Sequence, residues 1–277
     1  MITTARDGES FLREAIDSTL AQTDPDWEMI IVDDGSTDGT WDVVCDYDDP
    51  RIRGIRKGPV GRAAALNLAV GEATGDYLAI LDADDVSVPD RHERQANFLD
   101  EHPGVAYVGT RWVPQIDGLG QLLTNCDQCC TTHDEIVGRM RRGKCATEHS
   151  TSMLRREIVE RIGGYDADLP CGLDHDLFVR MLEHGTVEHL PEPVSLKRIH
   201  SGQHYWGPRG IGEVAAERFR YSRHVQTNTA RVLGASRLST YLIPLEYWAK
   251  AVIKPVVRPF TRSGRLWRRM QQPSPGR

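Results

Sequence analysis

The chain lacks an apolar run that could cross a membrane, since none approaches the ~18 residues that a spanning helix needs. Its opening residues also lack the charged and then apolar order of a secretory leader. The six cysteines show no regular spacing across 277 residues, so no disulfide framework is indicated. These absences lead us to expect a cytoplasmic protein whose thiols are reduced.

Acidic residues are missing from the end of the chain: none follows Glu246, whereas eight lysines and arginines do. The net charge is −6, so the preceding part carries −14, which is −6 minus 8. An acidic body argues against a nucleic-acid-binding groove. The basic tail also contains Trp248, Val252, Phe260 and Trp267, a composition typical of a helix lying on an anionic membrane surface. A disordered tail and a dimer contact are the alternatives.

Strand-like and helix-like segments alternate through the first ~110 residues. They lie, in order, at 9–22 (helix), 27–32 (strand), 61–73 (helix), 77–81 (strand) and 105–108 (strand). This order is typical of an α/β fold with a doubly wound, mostly parallel sheet and helices on both faces. The strand that should precede the first helix is expected to be short. A pattern at 208–233 predicts a helical C-terminal extension.

The strand at 77–81 ends in three carboxylates, Asp82, Asp84 and Asp85. The run is short and apolar, so we interpret it as a buried strand that delivers these acids to the carboxyl edge of a sheet. The acids repel one another unless a positive charge lies among them. A divalent cation fits this requirement, because hard cations bind carboxylate oxygens.

A second predicted strand, at 27–32, also ends in acids, Asp33 and Asp34. In open α/β sheets, ligands bind outside the carboxyl ends of the strands. The two groups of acids are therefore expected to meet at one edge of the sheet and to form one ligand site.

Several segments then follow one another in a characteristic order. They are residues 11–23, 31–40, 65–69, 75–85, 89–91, 155–157, 163–165 and 174–177. As an ordered set they resemble the GT-A-fold glycosyltransferases of family 2, over residues 2–204. The chain departs from the family at Leu173-Asp174, where Glu-Asp is usual, and at Arg6-Asp7, where an aromatic residue and Asn are usual. These departures bear on nucleotide fit and acceptor choice, not on the class.

The resemblance implies a metal-dependent, inverting glycosyltransferase of cell-surface polysaccharide synthesis. It would move a sugar from a UDP- or GDP-sugar to a saccharide or lipid-linked glycan, with Mn²⁺ or Mg²⁺ as cofactor. Residues 1–205 would form the GT-A domain, with a nucleotide-binding half at 1–110 and an acceptor half at 111–205. Residues 206–277 would form the basic helical extension, and the tail would place the enzyme at the cytoplasmic face of a membrane.

The resemblance also implies roles for the acids that follow the strand at 77–81. Asp84 is the first candidate metal ligand, and Asp82 would contact the metal or the donor ribose. Asp85 would support the others or cap the next turn. His200 would complete the metal shell, since imidazole binds Mn²⁺ readily. The alternatives are acids that solvate a loop and a hydrogen-bonded surface histidine.

Donor binding is assigned by the same resemblance to Thr4, Asp33, Asp34, Arg62 and Asp82. Of Asp33 and Asp34, Asp34 is the preferred candidate to accept hydrogen bonds from the base or ribose. Thr4 would contact the nucleoside. Arg62 would pair with phosphate or with an aspartate. An Asx-type turn at the acids and a solvated surface arginine are the alternatives.

Asp174 is the candidate general base, because a base must remove the proton of the acceptor hydroxyl as its oxygen attacks C1 of the sugar. The alternative is a helix N-cap, a position that Asp favours. Asp176 is expected to be structural. His149 would line the acceptor side.

Soft metal ligands are concentrated at Cys126, Cys129, Cys130, His133, Cys145 and His149. Structural zinc uses similar spacings, but the pattern is irregular, so free thiols are preferred.

Two further functions compete with the transferase. In an aspartate-nucleophile phosphohydrolase, Asp82 would attack phosphorus and Asp84 would act as acid and base. That motif usually opens a chain, whereas two strand–helix units precede it here. A degenerate transferase that binds nucleotide-sugar without turnover is the other alternative.

Overall fold

The computed structural model describes residues 1–127, 130–142, 146–169, 172–200 and 227–234. Residues 227–233 are helical, as predicted for that part of 208–233. The remainder of the predicted extension and the basic tail lie outside the described residues. Within the described ranges, no helix is both long and apolar enough to cross a membrane.

Strands and helices alternate along most of the described chain. The strands are β1 (Ile2–Ala5), β2 (Met29–Asp34), β3 (Ile52–Lys57), β4 (Tyr77–Ala79), β5 (Val86–Ser87), β6 (Val105–Thr110), β7 (Trp112–Ile116), β8 (Leu122–Asp127), β9 (Met153–Arg155), β10 (Thr186–Leu190) and β11 (Ser195–Arg198). The helices are α1 (Glu9–Leu20), α2 (Thr40–Cys45), α3 (Arg62–Glu72), α4 (Arg91–Glu101), α5 (His133–Met140), α6 (Arg156–Arg161) and α7 (Leu173–Met181). A 3-10 turn lies at His149–Thr151.

The central sheet has the strand order β3-β2-β1-β4-β9-β6-β10. Strands β1, β2 and β3 pair in parallel. A parallel bridge between Ile2 and Ile80 joins β1 to the chain that leaves β4. Both β4 and β6 pair antiparallel with β9, and β10 pairs in parallel with β6. Strand β9 therefore runs against its neighbours in a sheet that is mostly parallel, as predicted.

Helices cover both faces of this sheet, because its strands are apolar on both sides. In β2, Ile30 and Val32 pack into a core formed with α3, α5, α6 and α7. Met29 and Ile31 point the other way and pack into a core with α1, α2 and α4. The doubly wound α/β architecture is thereby confirmed, and the loops that carry polar residues lie at the carboxyl edge between the two layers.

A smaller sheet with the order β5-β11-β7-β8 begins where the acids end. Strand β5 directly follows Asp85 and pairs antiparallel with β11. Strand β11 in turn pairs in parallel with β7. The segment that contains Asp82 and Asp85 is therefore held between the central sheet on one side and the small sheet on the other.

Some element boundaries differ from the sequence prediction. Helix α4 begins at Arg91, with Asp90 at the N-cap position. Strand β4 is shorter than the predicted 77–81 and ends at Ala79. The first strand is short, as expected, but all four of its residues pair with β2.

A fully buried arginine, Arg91, ties the end of β4 to the turn before β9. Its guanidinium donates hydrogen bonds to the carbonyl oxygens of Ile80 (2.8 Å), Ser150 (3.0 Å) and Ser152 (3.2 Å). It also donates to Gln95 Oε1 and to Ser87 Oγ. Burial lowers the pKa of Arg91 to about 9, so the group stays cationic at neutral pH.

Replacement of Arg91 by Met should lower the free energy of unfolding by about 3 kcal/mol or more, because several buried acceptors lose their donor. Urea denaturation of the purified protein measures this difference. Arg161→Met is the matched control, since that arginine is exposed and pairs with Glu157 one turn earlier in α6. The control should lose about 0.5 kcal/mol or less. Equal losses in the two variants would contradict the tethering role of Arg91.

Candidate active site

Three carboxylates meet where the chain leaves β4. Oxygen atoms of Asp82, Asp84 and Asp85 lie within 4.8 Å of one another. A tight turn brings them together, because the amide of Asp85 donates to the carbonyl oxygen of Asp82 at 3.1 Å. Across the described ranges, this is the one group of three or more Asp, Glu, His or Cys side chains with spacing suited to a metal ion.

The donor set of this cluster fits a hard divalent cation. Its ligand atoms are carboxylate oxygens, which Mg²⁺ and Mn²⁺ prefer. The imidazole of His200 lies beside this cluster, and its Nε2 is hydrogen-bonded to Asp84 Oδ2 at 3.0 Å. A nitrogen donor is thus adjacent to the acids, and its role as a metal ligand stays a prediction.

Asp85 is the buried member of the cluster, and its pKa is raised. Burial is the first cause that raises its pKa well above the ordinary 3.8, and the charges of Asp84 and Asp82 add to the effect. Its Oδ1 accepts the backbone amide of Arg198 at 2.9 Å. Asp85 therefore holds a proton at pH values where an exposed aspartate would be charged.

A cationic side chain of helix α3 reaches Asp82. Arg62 is the first residue of α3, and its Nη2 lies 2.5 Å from Asp82 Oδ1. Burial is the largest single influence and raises the pKa of Asp82, but Arg62, His149 and Lys197 together outweigh it and lower that pKa. The predicted pairing of Arg62 with an aspartate is therefore present, although its side chain is also 46% exposed and open to a further partner.

The two acids at the end of β2 hold the neighbouring loops. Asp33 accepts the amide of Ser36 at 2.9 Å, which is the turn that the sequence allowed as an alternative. Asp34 Oδ1 accepts the amides of Val60 (2.6 Å) and Gly61 (3.2 Å), just before α3. Asp33 and Asp34 thus fix the two loops that border the carboxyl edge, and nothing in these contacts tests nucleotide binding.

His200 and Thr4 are also brought to this edge. The ring of His200 packs on Phe11 of α1, with ring centroids 4.5 Å apart. The half-buried Thr4 lies in β1 opposite Val32 of β2. Both residues stay predictions as ligands, since the described contacts concern the protein alone.

Two cations that the sequence analysis missed lie behind the acids. Arg198 is fully buried and donates from Nε to the carbonyl oxygen of Asp84 at 3.0 Å. It also pairs with Glu14 and packs over the ring of Phe11. Lys197 pairs with Glu148. Burial favours its neutral form, but the charges of Glu148 and then Asp85 outweigh burial and raise the pKa of Lys197.

Asp174 lies on the first turn of α7, and its charge reaches the same cluster. The charge of Asp82 is the largest cause that raises the pKa of Arg62, burial opposes it, and Asp174 and Asp84 add to the increase. Gly172, with φ of 71°, occupies the N-cap position of α7. The alternative in which Asp174 is the N-cap is therefore wrong. Its role as a base stays a prediction.

The remaining predicted residues around α7 have defined partners. Asp176 pairs with Arg180 at 2.8 Å and accepts a hydrogen bond from Asn228 at 2.7 Å, contacts that fit its expected structural role. His149 is buried, with Nδ1 at 3.3 Å from Arg62 Nη2 and Nε2 at 2.9 Å from the Tyr165 hydroxyl. It therefore contacts Arg62, a predicted donor-binding residue, as well as Tyr165 on the predicted acceptor side.

Two of the candidate zinc ligands, Cys130 and His133, have described surroundings. Cys130 is a buried free thiol, and His133 Nδ1 accepts the amide of Val187 at 3.3 Å. Cys129 and Cys145, and the side chain of Cys126, lie outside the described residues. Cys45 is a free, exposed thiol.

The sheet order, the two helical layers and the acids at the carboxyl edge define the GT-A fold of glycosyltransferases. Residues 1–163 match the model of glycosyl transferase family 2, more than half of the chain, and the chain belongs to that family. This membership confirms the resemblance inferred from the ordered segments and does not favour the phosphohydrolase alternative.

The chain is similar to known glycosyltransferases in sequence and, separately, in fold. The putative glycosyltransferase EpsE of Bacillus subtilis (strain 168) is 43% identical over 106 residues, which are 37% of this chain and 38% of EpsE. The chain thus covers well under two thirds of that relative.

Solved structures share the fold at low sequence identity. TarS 1-349 of S. aureus, crystallised with UDP-GlcNAc, has a TM-score of 0.69 and 15% identity, over 94% of this chain and 75% of that one. The mannosyltransferase PcManGT of Pyrobaculum calidifontis, in complex with GDP-Man and Mn²⁺, has a TM-score of 0.61 and 18% identity, over 98% and 82%.

Replacement of Asp85 by Asn should stabilise the protein at high pH when divalent cations are removed with EDTA. Because the folded-state pKa of Asp85 is raised, its contribution to stability is full below the ordinary value and is lost as pH rises through the folded value. The variant should therefore melt about 2–4 °C above wild type near pH 8 and close to it near pH 4.

Asp49→Asn is a control variant whose stability should change in the opposite direction. The hydrogen bonds from Arg51 lower the pKa of Asp49 to about 2, so its loss should lower the melting temperature near pH 8. An Asp85→Asn variant that melts below wild type at both pH values would show that repulsion in the cluster is already relieved.

Proposed function

We propose that the chain is a metal-dependent, inverting glycosyltransferase that uses a UDP- or GDP-sugar and a saccharide or lipid-linked glycan acceptor. The observation that carries the proposal is the meeting of Arg62, Asp82 and Asp84 at one edge of the sheet, within the electrostatic reach of Asp174. Family membership supports the reaction class. Relatives of this fold were crystallised with UDP-GlcNAc and with GDP-Man and Mn²⁺, which supports the donor class and the cation.

Asp84, Asp82 and His200 would hold the divalent cation. Bound there, the cation would stabilise the negative charge that develops on the leaving diphosphate. Asp85 supports the ligands from behind and keeps its own contact with the amide of Arg198. Arg198 fixes the backbone of the ligand loop through the carbonyl oxygen of Asp84.

The donor would lie along the carboxyl edge of β1, β2 and β4. Asp33 and Asp34 border the nucleoside end, where Asp34 would accept hydrogen bonds from the base or ribose and Thr4 would contact the nucleoside. Arg62 would face the diphosphate, where its positive charge complements the substrate. Its exposed fraction leaves room for this second partner beside Asp82.

Asp174 would act as the general base toward the acceptor hydroxyl. The acceptor oxygen attacks C1 of the sugar, and the bond between C1 and the diphosphate oxygen breaks. The hydroxyl proton passes to Asp174, and the nucleoside diphosphate leaves with the bonding electron pair. One displacement of this kind inverts the configuration at C1. His149, on the side of Tyr165 and α7, would line the acceptor site.

We also retain the hypothesis that the basic tail binds an anionic membrane surface, which would bring a cytoplasmic enzyme to lipid-linked acceptors. Its support is the composition of the tail: eight basic residues and no acid after Glu246. The division into a GT-A domain at 1–205 and an extension at 206–277 is part of the same proposal.

Replacement of Asp84 by Asn should weaken Mn²⁺-dependent binding of nucleoside diphosphate about tenfold or more, because a charged ligand is lost while the side-chain size is kept. Isothermal titration with and without Mn²⁺ measures the change, after a thermal-shift screen has selected the nucleotide. Asp76→Asn, an exposed acid at the other end of β4, should bind like wild type. Equal metal-dependent affinity in wild type and Asp84→Asn would exclude Asp84 as the principal ligand.

Replacement of Asp174 by Asn should slow turnover by about 10²- to 10⁴-fold and leave donor affinity near wild type, because the base acts on the acceptor. Release of nucleoside diphosphate from the selected nucleotide-sugar measures turnover, and titration measures binding. The exposed Asp168→Asn is the control. A wild-type protein that binds the donor but never releases diphosphate would instead favour the degenerate binding protein. A product that keeps the donor's anomeric configuration would overturn the inverting mechanism.

A further inference from the structure

A chain of hydrogen bonds runs from Asp82 through Arg62 and His149 to the hydroxyl of Tyr165. Arg62 Nη2 contacts Asp82 at 2.5 Å and His149 Nδ1 at 3.3 Å. On the other side of the imidazole ring, Nε2 lies 2.9 Å from the Tyr165 hydroxyl. The proposed function uses Arg62 and leaves the far end of this chain without a role.

The chemistry of Arg62 fixes the proton of His149. A guanidinium only donates hydrogen bonds, so in the neutral imidazole Nδ1 of His149, which also lies 3.7 Å from Asp82 Oδ1, accepts from Arg62. In the neutral imidazole the proton is then on Nε2, which donates to the hydroxyl oxygen of Tyr165. Burial raises the pKa of Tyr165, so this hydroxyl stays protonated at every working pH. With neutral His149, the hydrogen bonds therefore run from Arg62 to His149 and from His149 to Tyr165.

Tyr165 is itself held rigidly. Asn67 Oδ1 accepts the amide of Tyr165 at 2.7 Å, and Asn67 Nδ2 donates to the carbonyl oxygen of Tyr165 at 2.8 Å. The preceding Gly164 has a φ of 71°, and a Cβ there would approach Asn67 Oδ1 to 2.4 Å. Glycine is thus required for this clamp, and the tyrosine ring is only 2% exposed.

Both ends of the arrangement belong to the same helix. Arg62 begins α3, and Asn67 lies further along it. Asn67 positions Tyr165, Tyr165 positions His149, and His149 contacts Arg62. This series of contacts begins and ends on α3. The hydroxyl of Tyr165 therefore restricts the orientation of the Arg62 guanidinium.

We propose that Tyr165 is a positioning residue that acts through His149 to hold Arg62 at Asp82, in the orientation that receives the donor diphosphate. This inference rests on the proposed function, because it assigns the anion that Arg62 meets. Loss of the hydroxyl leaves His149 Nε2 without its acceptor, and the ring is then free to turn. Arg62 must be ordered again each time a nucleoside diphosphate binds.

Tyr165→Phe should therefore raise the Kd for nucleoside diphosphate about three- to tenfold, the effect expected when one buried hydrogen bond is lost. The probes are UDP, GDP, CDP, dTDP and ADP, each titrated calorimetrically into the full chain in the presence of MnCl₂. Melting temperatures are recorded for every variant. A merely structural tyrosine would lower the melting temperature and leave the Kd of the folded protein unchanged.

Tyr107→Phe is the matched control, since Tyr107 is a fully buried tyrosine of the same core and stacks on Phe178. It should bind the nucleotide like wild type. The decisive comparison is Arg62→Ala with the double variant Arg62→Ala/Tyr165→Phe. If Tyr165 acts through Arg62, the second change adds no further loss of affinity.

Two results would overturn the positioning role: a Tyr165→Phe variant that binds the nucleotide as wild type does, or a full additional loss in the double variant. Failure of the proposed function looks different, because wild type itself would then bind none of the five diphosphates. Binding by wild type together with an unchanged Tyr165→Phe affinity leaves the transferase proposal intact and removes only the role of Tyr165.

Discussion

Mutual repulsion among Asp82, Asp84 and Asp85 is the constraint on which the rest of the structure depends. Three carboxylates with oxygen atoms within 4.8 Å would push the loop apart unless positive charge surrounded it. Arg62 approaches from one helix layer and Arg198 from behind, while Arg91 holds the backbone on either side of the loop. Each cation comes from a different element, so the whole fold is needed to keep the acids together. The pKa of Asp85 is nevertheless raised, first by burial and then by the charges of Asp84 and Asp82.

Local patterns in the sequence predicted the central strands and the acidic cluster, because both depend on short segments of the chain. Buried apolar runs such as 27–32 gave the central strands, since strands covered on both faces are apolar throughout. The position of Asp82, Asp84 and Asp85 after such a run gave the edge of the sheet and the acidic cluster. The N-cap at α7 was harder to anticipate, because Asp174 and Gly172 both suit helix starts, and the left-handed backbone of Gly172 decided between them.

Long-range contacts account for what the sequence could not predict. Arg91 and Arg198 look like ordinary surface arginines in a sequence, yet both are fully buried, and some of their partners, such as Ser150 for Arg91 and Glu14 for Arg198, lie far away along the chain. The sequence allowed either phosphate or an aspartate as the partner of Arg62. In the structure, α3 approaches the end of β4, and this brings Arg62 to Asp82. In the same way, the backbone of Tyr165 is held by Asn67, which lies 98 positions earlier in the chain. A single sequence contains no signal for such pairs.

The pair formed by Glu14 and Arg198 has a consequence for how the protein folds. These residues are 184 positions apart, and they join α1 to the last strand of the small sheet. Contacts of such separation form late, because the chain between them must first be ordered. During synthesis, the acidic loop is therefore exposed without its rear cation until nearly the entire catalytic region has left the ribosome. A fragment that stops before β11 would contain every acid of the cluster and still lack the contact that fixes the loop, so the site is completed last.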